Sequence, residues 1–181
     1  MIRAFLALDL PDAQRAALRL QQFLLPLPGK VEPENFHLTL LFLGEQPVAV
    51  LEALHDRLCD LRLHPFALTL QGLGLFGGAK ARVAWAGVAP CEALDQLQAK
   101  CANAAALAGV RFQARKFMPH VTLGRFPPPD PIDQLRLERG IAEGAGFRSG
   151  PFTVSELVMY ESQLGPKGAR YTVLARYPLA R

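Results

Sequence analysis

Pro33-Glu34-Asn35-Phe36-His37-Leu38-Thr39-Leu40-Leu41-Phe42-Leu43-Gly44 carries the pattern on which the reading of this chain turns. Phe36 to Leu43 is a strand-like run, entered from a polar loop and stopped by Gly44 and Pro47. His37 and Thr39 stand two apart, so on a strand they project to one side while Leu38 and Leu40 project to the other. One face is chemical and the other is core. The element recurs as His120-Val121-Thr122-Leu123 inside a second strand-like run, Met118 to Phe126, closed by Pro127-Pro128-Pro129. Thr is only 5 of 181 residues, so composition alone places Thr two positions after a given His about 3% of the time. Two of the four histidines have it.

Working outward, Arg3 to Leu10 predicts a buried strand, and Pro11-Asp12 opens an amphipathic helix to about Leu25. A second helix is expected over Val48 to Leu63, a third from Pro90 to about Gly109, and a weaker one over Pro131 to Arg139. Phe66 to Phe76 and Ala81 to Val88 predict a hairpin around Gly77-Gly78. Phe152 to Glu161 and Arg170 to Tyr177 predict another around Gly165-Pro166-Lys167-Gly168. Seven strands and four helices, with hairpins rather than strict alternation, indicate an α+β fold with largely antiparallel sheets. At 181 residues the chain is expected to form one domain, 1–181, or two small lobes sharing a core.

Composition narrows the function classes. Half of the residues are hydrophobic and a fifth charged, which excludes extensive disorder. No apolar run reaches a membrane span, and Asp9 and Pro11 cut the first stretch before an export signal can form. Cys59, Cys91 and Cys101 include no C-x-x-C pair, which favours a reducing cytosol and small hydrophobic helix roles. The expected location is cytoplasmic. A formal charge of +4 favours a polyanionic partner.

The paired motifs supply the chemistry. One imidazole can act as a general base while the other acts as a general acid, as in-line hydrolysis of a phosphodiester requires. Thr39 and Thr122 can donate hydrogen bonds to phosphoryl oxygens as charge develops; the competing reading is that both are β-formers on half-buried strands. A zinc site fits poorly, since neither H-x-x-x-H nor C-x-x-C occurs. No metal or cofactor is expected, and the pH profile should be bell-shaped with limbs on either side of about 6.5. His55 and His64 lack the pattern and are expected to be solvated.

The chain resembles the 2H phosphoesterases, and within them the RNA 2′,3′-cyclic phosphodiesterases once named 2′-5′ RNA ligases. The resemblance rests on Arg3-Ala4-Phe5 through Leu10-Pro11, Pro33 to Leu40 with Phe42-Leu43-Gly44, and Arg82 to Val88. It continues through Phe117 to Arg125 and Tyr160-Glu161-Ser162, followed by Gly168 and Tyr171. It implies a bilobal fold, with two largely antiparallel sheets related by pseudo-twofold symmetry around a central cleft and helices on the outer faces. It also implies opening of a 2′,3′-cyclic phosphate to a 2′-phosphomonoester. His37 would protonate the leaving 3′-oxygen and His120 would activate water. Lys30-Val31 departs from the Arg-Trp that relatives often carry there.

Arg125 stands five residues after His120, an odd offset that points away from it unless the strand twists or bulges at Gly124; the resemblance implies a phosphate contact there. Arg115 and Lys116 are expected to give general attraction to RNA. Phe42, Phe76 and Trp85 are candidates for base stacking, although core packing is the role expected of all three. Tyr160 and Tyr171, with Lys167 and Arg170, are candidates for contacts to an RNA end. The expected partner is RNA ending in a 2′,3′-cyclic phosphate, bound by a monomer, with reversible 2′-5′ RNA ligation as a further activity. Two alternatives stay open: a noncatalytic RNA-end-binding module, and a related enzyme acting on a small cyclic nucleotide.

Overall fold

The structure, a computed structural model, describes residues 1–78, 80–112, 116–165 and 168–179. Arg115 and Lys167 lie outside them. In chain order the elements are β1 (Ile2–Asp9), α1 (Asp12–Leu24), β2 (His37–Gln46), α2 (Val48–Cys59), β3 (Phe66–Leu68), β4 (Leu70–Phe76) and β5 (Val83–Val88). There follow α3 (Glu92–Leu107), β6 (His120–Arg125), α4 (Pro131–Glu143), β7 (Phe152–Val154), β8 (Glu156–Gly165) and β9 (Gly168–Pro178).

Seven strands form one sheet in the order β4-β5-β6-β2-β1-β8-β9, and β3 pairs with β7 in a separate ribbon. Every pairing is antiparallel. The α+β class is as the sequence indicated, and the two expected sheets meet edge to edge. Their junction is the single pair Leu38↔Val121 between β2 and β6. Each half of the sheet therefore contributes one H-x-T element to the junction.

Two strands divide where the sequence suggests continuous runs. Thr69 separates β3 from β4, and Ser155 separates β7 from β8. Their carbonyls accept from Ala89 N and Leu179 N, so the backbone stays paired while the chain passes from ribbon to sheet. No Gly or Pro marks either break. In contrast, α4 runs on through Gly140, because a Cβ there would lie 3.1 Å from Leu25 Cδ2. That glycine permits close approach of the chain leaving α1 and does not end the helix. The second helix stops at Cys59, short of the expected Leu63.

The core lies on one side of the sheet. Alternation along β1 sends Ala4, Leu6 and Leu8 into it, together with Leu38, Leu40 and Leu43 of β2 and Leu18, Leu54, Leu94, Leu97 and Leu137 of the helices. Phe5 and Ala7 take the opposite face, where they join Val158 and Tyr160 in a small second cluster. Both faces of β1 are thus apolar from Ala4 to Leu8, which explains that unbroken hydrophobic run. Helix α1 is amphipathic in an inverted sense: Gln14, Leu18 and Gln22 are buried, while Leu20, Phe23 and Leu24 face solvent. No helix among the described residues is long and apolar enough to cross a membrane.

Candidate active site

The two H-x-T elements meet at their middle residues. Leu38 and Val121 are each 0% exposed and paired across the β2–β6 junction. Continuing that antiparallel register sets His37 across from Thr122 and Thr39 across from His120. All four side chains then project from the face opposite the main core. The alternation inferred from the sequence holds.

Both imidazoles are oriented by the same device. His37 Nδ1 lies 2.7 Å from the carbonyl oxygen of Asn35, and His120 Nδ1 lies 2.7 Å from that of Met118, in each case two residues earlier. A carbonyl can only accept, so each Nδ1 carries the hydrogen and each Nε2 is left to take or give a proton. Aromatic rings hold the imidazoles from the side. Phe5 and Tyr171 have centroids 4.9 and 5.1 Å from that of His37, and Phe76 lies 4.9 Å from His120.

A β-bulge sits at the same place in both elements. On β2, Leu41 pairs with Leu6 but Thr39 pairs with Ala7, leaving Leu40 as the extra residue. On β6, Gly124 pairs with Ala84 but Thr122 pairs with Trp85, leaving Leu123 as the extra residue. The fourth residue of each H-x-T-L is the bulge. One extra residue resets the alternation, so the residue five after each histidine returns to its face. Those residues are Phe42 and Arg125, which line a common cavity with His37 and Thr39. The odd offset of Arg125 is thereby resolved.

Comparison with known proteins settles the lineage. A family profile described as the 2′-5′ RNA ligase superfamily matches residues 9–166. The chain belongs to that superfamily. It is 34% identical to an RNA 2′,3′-cyclic phosphodiesterase of Methanothermobacter thermautotrophicus, over 94% of this chain and 95% of the relative. It is 32% identical to one of Escherichia coli, over 99% and 97%. A crystal structure of E. coli LigT complexed with 3′-AMP superposes with a TM-score of 0.79, at 29% identity, covering 99% of this chain and 98% of that one.

In this member of the 2′-5′ RNA ligase superfamily the cleft has two parts. One is a cavity of about 520 Å³ that contains His37, Arg125 and Tyr171. The other, about 820 Å³, contains His120, Phe76, Met118 and Lys116. Thr39 and Phe42 line both and so mark their shared wall. Phe42 is 46% exposed, and Phe76 and Trp85 are half-buried beside His120; none of the three belongs to the core. Tyr160 departs from the sequence expectation of a substrate contact. It is 9% exposed, stacks on Phe5 at 5.2 Å and lines neither cavity, so it supports the floor of the site.

Burial lowers the basicity of both imidazoles. His37 is pushed down to about 4, first by desolvation, against the Asn35 carbonyl that raises it. His120 is also lowered, first by desolvation and partly by the Arg125 charge, against the Met118 carbonyl. Arg125 acts on both rings.

Two supporting residues were not identified from the sequence. Arg15 donates to the carbonyls of Leu10, Pro33, Glu34 and Phe36 at 2.9 to 3.1 Å and pairs with Asp9, fixing the turn that presents the Asn35 carbonyl to His37. Gln22 donates to the carbonyls of Leu123 and Val31 at 2.8 and 2.7 Å, holding the β6 bulge. Nothing in the local sequence distinguishes them from ordinary helix-surface residues. Among the described residues, no three of His, Cys, Asp and Glu converge as a metal-binding group.

Proposed function

We propose that this chain, acting as one two-lobed domain and as a monomer, hydrolyses 2′,3′-cyclic phosphate ends of RNA to 2′-phosphomonoesters in the cytoplasm. The observation that carries this reading is the matched pair of imidazoles, each pinned through Nδ1 at 2.7 Å, with no hydrogen bond at either Nε2 among the described residues. Hydrolysis of a cyclic phosphodiester needs one group to activate water and another to protonate the leaving oxygen. Following the family resemblance, His120 takes the proton of water and His37 gives one to the 3′-oxygen. Burial opposes protonation of His37 in the free protein, and the phosphoryl anion bound between the rings favours it.

Thr39, Thr122 and Arg125 would meet the non-bridging oxygens as negative charge builds on them. Phe42 and Tyr171 would contact the terminal nucleoside. With the 5′-hydroxyl of a second RNA end in place of water, the same proton transfers would form a P–O5′ bond as the P–O3′ bond breaks, giving 2′-5′ ligation. The proton transfers and the charge stabilisation each have a side chain to perform them, so no step calls for a metal.

The test is incubation with an RNA oligomer ending in a 2′,3′-cyclic phosphate, with and without excess EDTA, followed by identification of the phosphate position. A 2′-phosphate product that forms equally well in EDTA is expected. A 3′-phosphate product would contradict the leaving-group assignment, and activity lost in EDTA and restored by metal would contradict the two-histidine mechanism. Binding without turnover would favour the noncatalytic module.

A further inference from the structure

The two bulges make Phe42 and Arg125 equivalents, yet one is an aromatic ring and the other a guanidinium. The missing cation on the β2 side is supplied by the neighbouring strand. Arg3 of β1 places its guanidinium carbon 4.8 Å from the centroid of the Phe42 ring and lines the cavity that holds His37 and Arg125. Its Nε is buried and has no hydrogen-bond partner among the described residues, which is costly unless a ligand supplies an acceptor. Among the described residues no carboxylate forms a salt bridge with it, although Glu45 is its cross-strand partner and Glu32 lines the same cavity.

Position decides which anion this could be. Arg3 and Phe5 alternate onto one face of β1, and Phe5 lies against His37, so Arg3 stands one strand step beyond the residue that backs the imidazole. Arg125 already acts on both histidines. Arg3 is therefore set back from the reacting phosphate.

We infer that Arg3, stacked on Phe42, binds the phosphodiester on the 5′ side of the terminal nucleotide, so that the site selects an oligonucleotide over a nucleoside 2′,3′-cyclic phosphate. The inference rests on the function proposed above and names its substrate class. A planar guanidinium suits this task because its fork can donate to phosphate oxygens while its face remains on an aromatic ring. Bases upstream can vary, since a phosphate contact carries no sequence information.

The test compares kcat/KM for a dinucleotide ending in a 2′,3′-cyclic phosphate with kcat/KM for the corresponding nucleoside cyclic phosphate. The ratio is expected to be about 10 to 100 in the unmodified protein, the range of a charge-assisted hydrogen bond. It should fall towards one in Arg3→Gln and recover partly in Arg3→Lys. A dinucleotide whose internal linkage is an uncharged methylphosphonate removes the same contact from the substrate side, with no risk to folding. Its loss should not add to that of Arg3→Gln.

A ratio near one in the unmodified protein, or a ratio unaffected by both Arg3→Gln and the methylphosphonate, overturns the inference. If neither substrate is cleaved, the proposed function fails, and Arg3 is judged by binding alone. Fluorescence anisotropy of a labelled dinucleotide 2′-phosphate, weakened about tenfold by Arg3→Gln, would then support the contact, and unchanged binding would overturn it.

Discussion

The two halves of the cleft use one backbone device and surround it differently. In each, a histidine is pinned to the carbonyl two residues before it, a threonine follows at two, and a bulged leucine at three returns the fifth residue to the working face. Around His37 the packing is dense, with Phe5 and Tyr171 against the ring and Arg15 locking the preceding turn. Around His120, Phe76 and Met118 border the wider cavity, and Arg125 lies exposed at the fifth position. The lesson is that the repeat fixes where protons can be exchanged, while the unrepeated surroundings set how readily each ring gains one.

Removing the shared part should have the largest effect. His37→Ala and His120→Ala should each lower kcat/KM on an RNA cyclic phosphate by about 10²- to 10⁴-fold. The double variant should be scarcely slower than either single one, because acid and base act as a unit. Losses that multiply would mean that the halves work independently.

The fifth positions sharpen the comparison next. Arg125→Ala should cost about 10- to 100-fold in kcat/KM, as expected for lost hydrogen bonds to a charged group. It should also reduce the slope of log affinity against log salt by about 0.7, the single-strand value for one phosphate contact. Lys116→Ala, at the rim of the other cavity, should change kcat/KM less. Equal, small effects would return Arg125 to the role of a solvated strand-end residue.

Gln22 distinguishes the halves through stability. Gln22→Leu leaves the Leu123 and Val31 carbonyls without that donor and should destabilise the protein by about 1–3 kcal/mol, read as a lowered Tm. Turnover on saturating substrate should fall with it, since the Leu123 bulge aims Arg125. An unchanged Tm would show that the backbone alone, through Val31 N to the Leu123 carbonyl at 3.0 Å, holds the bulge.

The mildest probe is pH. Both rings sit below the ordinary histidine value in the free protein, His37 at about 4. The kcat/KM profile should accordingly be bell-shaped with both limbs on the acid side of about 6.5, displaced from the symmetric placement that the sequence suggests. The kcat limbs should lie at higher pH, because bound phosphate favours protonation, and all of these limbs belong to the pair. Identical limbs in the two profiles would contradict that coupling. Stability follows the same sign: the unfolded chain protonates His37 near pH 6.5 while the folded chain does not, so stability falls as pH drops from there to about 4. His37→Gln should flatten this decline in Tm.

Period-two patterning made His37, Thr39, His120 and Thr122 legible together with the core role of Leu38 and Val121, because strand alternation is a local property of the backbone. Helix starts at Pro11 and Pro131 and the hairpin at Gly77-Gly78 were legible for the same reason: proline and glycine act on their own dihedrals. Only the tertiary structure decided the bulges at Leu40 and Leu123, since an extra residue is defined by the partner strand it fails to pair with. It alone brought Arg3 over Phe42, turned Gln14 and Gln22 inward on α1, and placed Tyr160 beneath Phe5. Those placements depend on which surfaces meet across the fold, and a polar or aromatic side chain carries no local mark of the partner that will satisfy it.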